Sequence, residues 1–213
     1  MANFQSTDAF IFDMDGTLWD GVECYAQGFN DFFLANKIQR QLKKTDIAGY
    51  MGWEEDRFLE ATLPELTYEE RKEAYHRIIK YQYERIIKDG GILYEGVKEG
   101  LQRLNETYRL FIVSNCPEFT IDYFMKWAGI EHLITDTMAH GKNYKHKHEN
   151  IRLLIEKHGL KNPVYVGDTD SDGRQSRLVP LPFLFVDYGF GKTENYDLRF
   201  STFSELVHFF AKS

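Results

Sequence analysis

Ala9-Phe10-Ile11-Phe12-Asp13-Met14-Asp15-Gly16-Thr17-Leu18 decides the reading of this chain. Four apolar residues stop at an aspartate, and a second aspartate and a glycine follow, so the segment reads as a buried strand ending in an acidic turn. Two carboxylates two residues apart beyond a strand end can divide the work. One can face a crevice as a nucleophile while the other reaches a leaving group. Gly16 lets the backbone turn tightly and approach a ligand. An isolated D-x-D-G is equally compatible with a plain Asx turn. A calcium loop fits less well, because counting from Asp13 the sixth position is Leu18 where glycine is needed and the twelfth is Cys24 where glutamate is needed.

The same form recurs twice. Residues 110–113 run into Ser114 and Asn115, and residues 164–166 run into Gly167 and Asp168, each flanked by helical patterning such as residues 151–158. Strands alternating with helices imply a parallel sheet wound by helices on both faces, and ligands bind such sheets at the carboxyl ends of the strands. Before Gly90-Gly91 the character changes to helical patterns over residues 23–36, 44–50, 53–61 and 67–88, with no clear strand. Thr67-Tyr68-Glu69-Glu70 has the form of a capping box opening the last of these, and Asp89-Gly90-Gly91 that of its stop. The expected fold class is α/β: a doubly wound parallel-sheet core from residues 1–18 and 92–213, with an all-helical domain inserted over residues 19–91. Residues 183–186 form a further strand, and residues 203–211 a short amphipathic helix begun by Ser201-Thr202.

The chain has 213 residues, 43% of them hydrophobic, which is enough for a proper core. Its formal net charge of -7 argues against an extended nucleic-acid surface, which needs a basic stripe. The same charge repels anionic substrates at long range, so a phosphate site must make its own positive field from a metal, a lysine or a helix N-terminus. Met1 to Asp8 lacks the basic start and apolar middle of a signal peptide, and no apolar run is long enough to span a bilayer. Cys24 and Cys116 stand apart with no C-x-x-C, so neither a disulfide framework nor a zinc knuckle is indicated. A cytoplasmic protein with no membrane or nucleic-acid partner is expected.

Gly167-Asp168-Thr169-Asp170-Ser171-Asp172-Gly173 matches the first half of an EF-hand loop, but Val179 occupies the twelfth position. A magnesium site at a strand end is the better account. Ser114 and Asn115 offer a hydroxyl and backbone N–H groups to a phosphate, or an N-cap to a helix near residues 119–127. One cation is required beside Asp13 to offset the carboxylates and phosphate oxygens. Lys142, Lys145 and Lys147 are available, and Lys147, at the start of a helix, is chosen.

Taken in order, Asp13-x-Asp15-Gly16-Thr17-Leu18, Ser114-Asn115, Lys147 and Gly167-Asp168-x-x-x-Asp172 resemble the four motifs of the haloacid dehalogenase (HAD) superfamily, and the resemblance covers essentially the whole chain. An insertion directly after the first motif is similar to the helical cap of the phosphoglycolate phosphatase type. The resemblance implies Asp13 as nucleophile, Asp15 as general acid and base, and Mg²⁺ held by Asp13, the Asp15 carbonyl and Asp168, with Asp172 orienting that shell. An aspartate at position 15 favours phosphate monoester chemistry, because dehalogenases and phosphonatases lack it. The third motif departs from the pattern: Lys147 is not followed by the usual proline, and Lys145 lies two residues away.

The implied activity is hydrolysis of a small phosphorylated metabolite. A phosphomutase would use the same residues, and a non-catalytic phosphate-binding module could use the same fold. In the insertion, Gly52 and Trp53 are expected to contact substrate, although core packing would equally account for Trp53. Gly189-Phe190-Gly191-Lys192-Thr193 lacks the first glycine of a P-loop and reads as a turn after the last strand. His140, His146 and His148 read as a solvated loop rather than a zinc site, and Cys116 as a packing residue.

Overall fold

The structure is a computed structural model that describes residues 4–211. Residues 1–3 of the Met1 to Asp8 stretch, and residues 212–213 of the expected core, lie outside the described residues. Along the chain come β1 (Ala9–Phe12), β2 (Trp19–Asp20), α1 (Val22–Ala35), α2 (Lys44–Ala48), α3 (Glu55–Thr62) and α4 (Tyr68–Lys88). Next are β3 (Ile92–Leu93), α5 (Val97–Asn105), β4 (Arg109–Ser114), α6 (Thr120–Ala128), β5 (Asp136–Ala139) and α7 (His140–Asn143). The last are α8 (Lys147–His158), β6 (Pro163–Gly167), α9 (Asp170–Arg177), β7 (Phe183–Val186), β8 (Leu198–Phe200) and α10 (Phe203–Phe210). The chain divides into two compact units, Met1–Trp19 with Leu93–Ser213, and Asp20–Ile92.

The first unit is built on a six-stranded sheet in the order β5-β4-β1-β6-β7-β8, every pairing parallel. Its central strands carry continuous apolar runs, Ala9–Phe12 in β1, residues 110–113 in β4 and residues 164–166 in β6, because helices cover both faces. All four residues of β1 are buried. Ile11, Phe111, Tyr165 and Phe183 share one face and pack with Ile151 and Leu154 of α8. On the other face Phe10 meets Phe210 edge to face with ring centroids 4.8 Å apart, and Phe12 lies 5.9 Å from Phe203. Each such buried side chain contributes ~1.5–3 kcal/mol of transfer free energy. Gly100 of α5 is required for this packing, since a Cβ there would lie 2.5 Å from the Phe203 ring.

Two strands of the sheet have no counterpart in the sequence reading. β5 and β8 are the two edges, only three or four residues long and half-exposed, so neither carries an apolar run. Short edges of this kind limit edge-to-edge pairing. Because β8 follows β7, residues 189–193 connect two strands of the sheet rather than ending it. Among the described residues no helix is long and apolar enough to cross a membrane.

The second unit is helical, and α1 packs along α4. Phe29 and Tyr75 stack with centroids 6.5 Å apart, and Gly28 permits the close approach, since a Cβ there would lie 2.4 Å from Gln82. Arg85 grips Asp31 with both ends of its fork, at 2.6 and 2.8 Å. The capping box at Thr67 is formed: Thr67 N–H donates to Glu70 at 2.9 Å while Glu70 N–H donates to the Thr67 hydroxyl. Gly90, at φ 68°, ends α4 in the left-handed region. The pattern over residues 53–61 overshoots at its start, because α3 begins at Glu55 and Trp53 stands in the preceding turn. Trp53 is half-buried there, 4.9 Å from the Tyr50 ring, and is not a core residue.

Candidate functional site

Three adjacent strands, β4, β1 and β6, end side by side, which places Ser114, Asp13 and Gly167-Asp168 at one edge of the sheet. Asp13 is held there by its backbone, whose N–H donates to Val166 at 2.8 Å and extends the β1–β6 ladder by one residue. The Met14 carbonyl then accepts from Thr17, Leu18 and Trp19, closing a tight turn around Asp15. Gly16, at φ 86°, is required twice over: a side chain would be strained there, and its Cβ would lie 2.2 Å from Asp168 Oδ2. The acidic turn is therefore shaped by its neighbour as much as by itself.

Lys147, the first residue of α8, is buried, and its ammonium donates to Asp13 Oδ1 and to Asp172 Oδ1, both at 2.8 Å. Lys145 is exposed and its backbone N–H bonds Asn143, so of the two candidate lysines only Lys147 reaches Asp13. Asp172 is saturated with donors: Lys147 and the Tyr165 hydroxyl (3.2 Å) on Oδ1, Thr169 N–H (3.0 Å) and hydroxyl (2.6 Å) on Oδ2. The Thr169 bonds belong to the capping box of α9, in which the Asp172 N–H returns to the Thr169 hydroxyl. Asp170 turns away to Arg174 and Thr193. Because residues 170–173 are helical, they cannot form the open loop that a calcium EF-hand needs.

Asp168 accepts from the Thr17 hydroxyl at 3.3 Å and from the Phe190 N–H at 2.7 Å. The sequence reading missed this second bond by treating residues 189–193 as a plain turn. Their glycines carried the signal: a Cβ on Gly189 would lie 2.3 Å from the Gly16 carbonyl, and one on Gly191 2.6 Å from the Asp168 carbonyl. Thr17 and Tyr165 were also unread, since nothing local distinguishes a hydroxyl that will meet a carboxylate across the fold; Thr169 was unread too, although its three-residue spacing to Asp172 is that of a capping box.

Ser114 is buried at the end of β4, but it does not cap the next helix, and neither does Asn115. That helix starts at Thr120 with Phe119 in the capping position, five residues after Ser114. Ser114 bonds the Cys116 thiol, which burial and the charge of buried Asp15 push up to about 12. Cys116 is thus an unreactive packing thiol beside the acidic turn. His140 Nδ1 contacts the Lys145 carbonyl and His148 Nδ1 contacts Gln175, so these histidines are held in local bonds. Gly52 and Trp53 lie in the turn before α3 of the helical unit, with Gly52 at φ 77°.

Oxygens of Asp13, Asp168 and Asp172 lie within 4.8 Å of one another, the one such metal-capable group among the described residues. Burial raises Asp13 to about 6 against the opposing pull of Lys147. Burial, then the charges of Asp172 and Asp13, hold Asp168 well above its ordinary value. Burial would lower Lys147, but those aspartates outweigh it and keep it an ammonium. Three buried carboxylates against one ammonium leave a deficit of positive charge, and an all-oxygen donor set is what a hard divalent cation takes. These residues fit such an ion.

A pH test follows from Asp13. Because folding raises this pKa, its contribution to stability is complete below about pH 4 and is lost as pH rises through about 6. In chelator, thermal unfolding of Asp13→Asn should therefore gain on wild type from about pH 4 to about pH 6 and level off above that. A gap independent of pH would show that Asp13 is not strained by its surroundings.

The pattern characteristic of haloacid dehalogenase-like hydrolases matches residues 10–186. The chain is 26% identical over 199 residues to the phosphoglycolate phosphatase of Rhodobacter capsulatus, covering 87% of this chain and 86% of that protein. It is 24% identical over 229 residues to the phosphoglycolate phosphatase of Photobacterium profundum, covering 97% of each. Among solved structures, a haloacid dehalogenase-like family hydrolase from Streptococcus pneumoniae superposes with a TM-score of 0.83 at 23% identity, over 97% of this chain and 100% of that one. A HAD-superfamily hydrolase of subfamily IA from Geobacter sulfurreducens PCA gives 0.72 at 17% identity, over 96% of each. At these identities the two structures establish the fold.

Proposed function

The chain belongs to the haloacid dehalogenase-like hydrolases, and from that membership we propose that it is a cytoplasmic, magnesium-dependent phosphatase acting on a small phosphate monoester. The observation that carries this reading is the buried contact of Lys147 with Asp13 at 2.8 Å, beside Asp168 and Asp172. It couples a strand-end carboxylate to a fixed positive charge, which is what attack on an anionic phosphate ester needs.

In this reading an Asp13 oxygen attacks phosphorus and the ester oxygen leaves with a proton from Asp15. Asp15, now a carboxylate, takes a proton from water as that water displaces phosphate and regenerates Asp13. Lys147 holds Asp13 in position and offsets charge, and Asp172 braces Lys147. Ser114 and Asn115 donate to the phosphoryl oxygens. Asp13, Asp168 and the Asp15 carbonyl would hold Mg²⁺, which when bound offsets the charge shared by phosphate and carboxylates. The helical unit serves as a cap that selects substrate, with Gly52 and Trp53 in that role.

The curated relatives' name makes phosphoglycolate the first ester to try. Phosphate release from a panel of phosphate monoesters in Mg²⁺ tests the proposal, and an ester isomerised without phosphate release would point to a mutase instead. Exhaustive chelation should abolish turnover, and Ca²⁺ should inhibit, because a larger ion that accepts more ligands can draw both Asp13 oxygens away from attack. Full turnover in chelator would remove the metal from the mechanism.

A further inference from the structure

We propose that residues 188–191 form a clasp for the metal site: the Tyr188 hydroxyl and the Phe190 N–H are positioning groups that hold Asp168 ready for a divalent cation, and Gly189 lets the backbone come close enough for them to act. The inference rests on the metal assignment in the reading above and adds to it a loop which that reading does not use.

The glycines of this loop are not explained by the conformation of their own backbone. Neither Gly189 nor Gly191 has a positive φ. Yet a Cβ on Gly189 would lie 2.4 Å from Asp168 Oδ2, and one on Gly191 would lie 2.9 Å from the Thr169 Cα. The missing side chains leave room for main chain laid directly on the two acidic turns. Across that contact the Phe190 N–H donates to Asp168 Oδ2 at 2.7 Å. The Tyr188 hydroxyl donates to the Thr17 carbonyl at 2.8 Å, and the Thr17 hydroxyl donates in turn to Asp168 Oδ1 at 3.3 Å. Farther along, the Thr193 hydroxyl donates to Asp170 at 2.8 Å and fastens the loop to the start of α9.

Asp168 needs such a hold. One oxygen from each of Asp13, Asp168 and Asp172 lies within 4.8 Å of the other two, and all three residues are buried, so their like charges repel with little screening. Lys147 bonds the carboxylates of Asp13 and Asp172, whereas the donors to Asp168 come from this loop and from Thr17. With a donor on each oxygen, the Asp168 carboxylate cannot turn about its Cβ–Cγ bond without losing one. A ligand fixed before the ion arrives loses less freedom on binding it, and groups that bond a ligating carboxylate set metal affinity in this way.

Mg²⁺ alone is the probe, titrated by calorimetry into metal-free protein well below its unfolding temperature, with no substrate present. Gly189→Ala, whose Cβ must push the loop off Asp168, should raise the Kd for Mg²⁺ by roughly 10- to 100-fold, the usual cost of losing a group that orients a metal ligand. Tyr188→Phe removes only a hydroxyl one step farther out and should raise it by about 3- to 10-fold. Lys192→Ala, an exposed change in the same loop, should stay within about twofold of wild type. Thermal unfolding in chelator reports separately on the fold: a loop that only supported the structure would lower that temperature and leave the Kd where it was. A Kd within about twofold of wild type in both Gly189→Ala and Tyr188→Phe overturns the clasp and leaves the metal assignment standing. Should Gly189→Ala fail to fold, Tyr188→Phe decides alone. Wild type that binds no Mg²⁺ overturns the clasp and the metal assignment together.

Discussion

Asp15→Asn, given an aryl phosphate, should release a burst of phenolate close to one equivalent per enzyme and then slow by roughly 10²- to 10⁴-fold, the usual worth of a positioned acid or base. The two half-reactions make different demands on this residue. A phenolate leaves without protonation, so loss of the acid costs little in the first step. Water attacking the phosphoryl-aspartate must lose a proton, and asparagine cannot take it. Phosphate should therefore remain covalently bound to the stalled protein. Asp13→Asn should give neither burst nor covalent phosphate, with turnover reduced on the order of 10⁴-fold or more, as when a nucleophile is removed. A burst-free time course for Asp15→Asn at the wild-type rate, or phosphate attached to Asp13→Asn, would overturn the division of labour between the two aspartates.

Lys147→Met should cost both activity and stability, in proportions that metal can separate. The ammonium is buried and bonded to Asp13 and Asp172. Removing one partner of a buried ion pair typically costs roughly 3–5 kcal/mol, because the remaining charges lose their compensation. Here three carboxylates are left close together, so the loss in chelator should lie toward the larger end of that range. Mg²⁺, binding the same carboxylates in the folded protein only, should restore much of that stability. It should not restore turnover, expected to fall by roughly 10²- to 10³-fold for loss of one fixed electrostatic contact. Lys145→Met, altering an exposed side chain, should leave both nearly unchanged. Equal effects at the two positions, read by calorimetry and phosphate release, would detach Lys147 from the site.

Local information in the chain was rich. The apolar runs of β1, β4, β6 and β7 could be read because both faces of a parallel sheet are buried, which leaves continuous hydrophobic strands. Thr67 with Glu70 and Thr202 with Glu205 announce helix starts because a cap is satisfied within three residues. Edge strands β5 and β8 were not legible for the opposite reason. Half-exposed and short, they need no apolar run and are defined only by the neighbour they pair with.

The site divides along the same line. Its aspartates, Ser114 and Lys147 could each be named from residue type and position after a strand or at a helix start, since those features are encoded over a few residues. That Lys147 rather than Lys145 meets Asp13, 134 positions away, depends on how α8 emerges beside β1. The Phe190 amide on Asp168, the Tyr165 hydroxyl on Asp172 and the crowding at Gly16 depend likewise on segments brought together by the strand order. Sequence alone determined which groups stand at the strand ends, because backbone propensity and burial act locally. The tertiary structure decided which groups touch and how their charges compensate, because hydrogen bonds and buried charge act across space at distances of a few ångströms, whatever the separation along the chain.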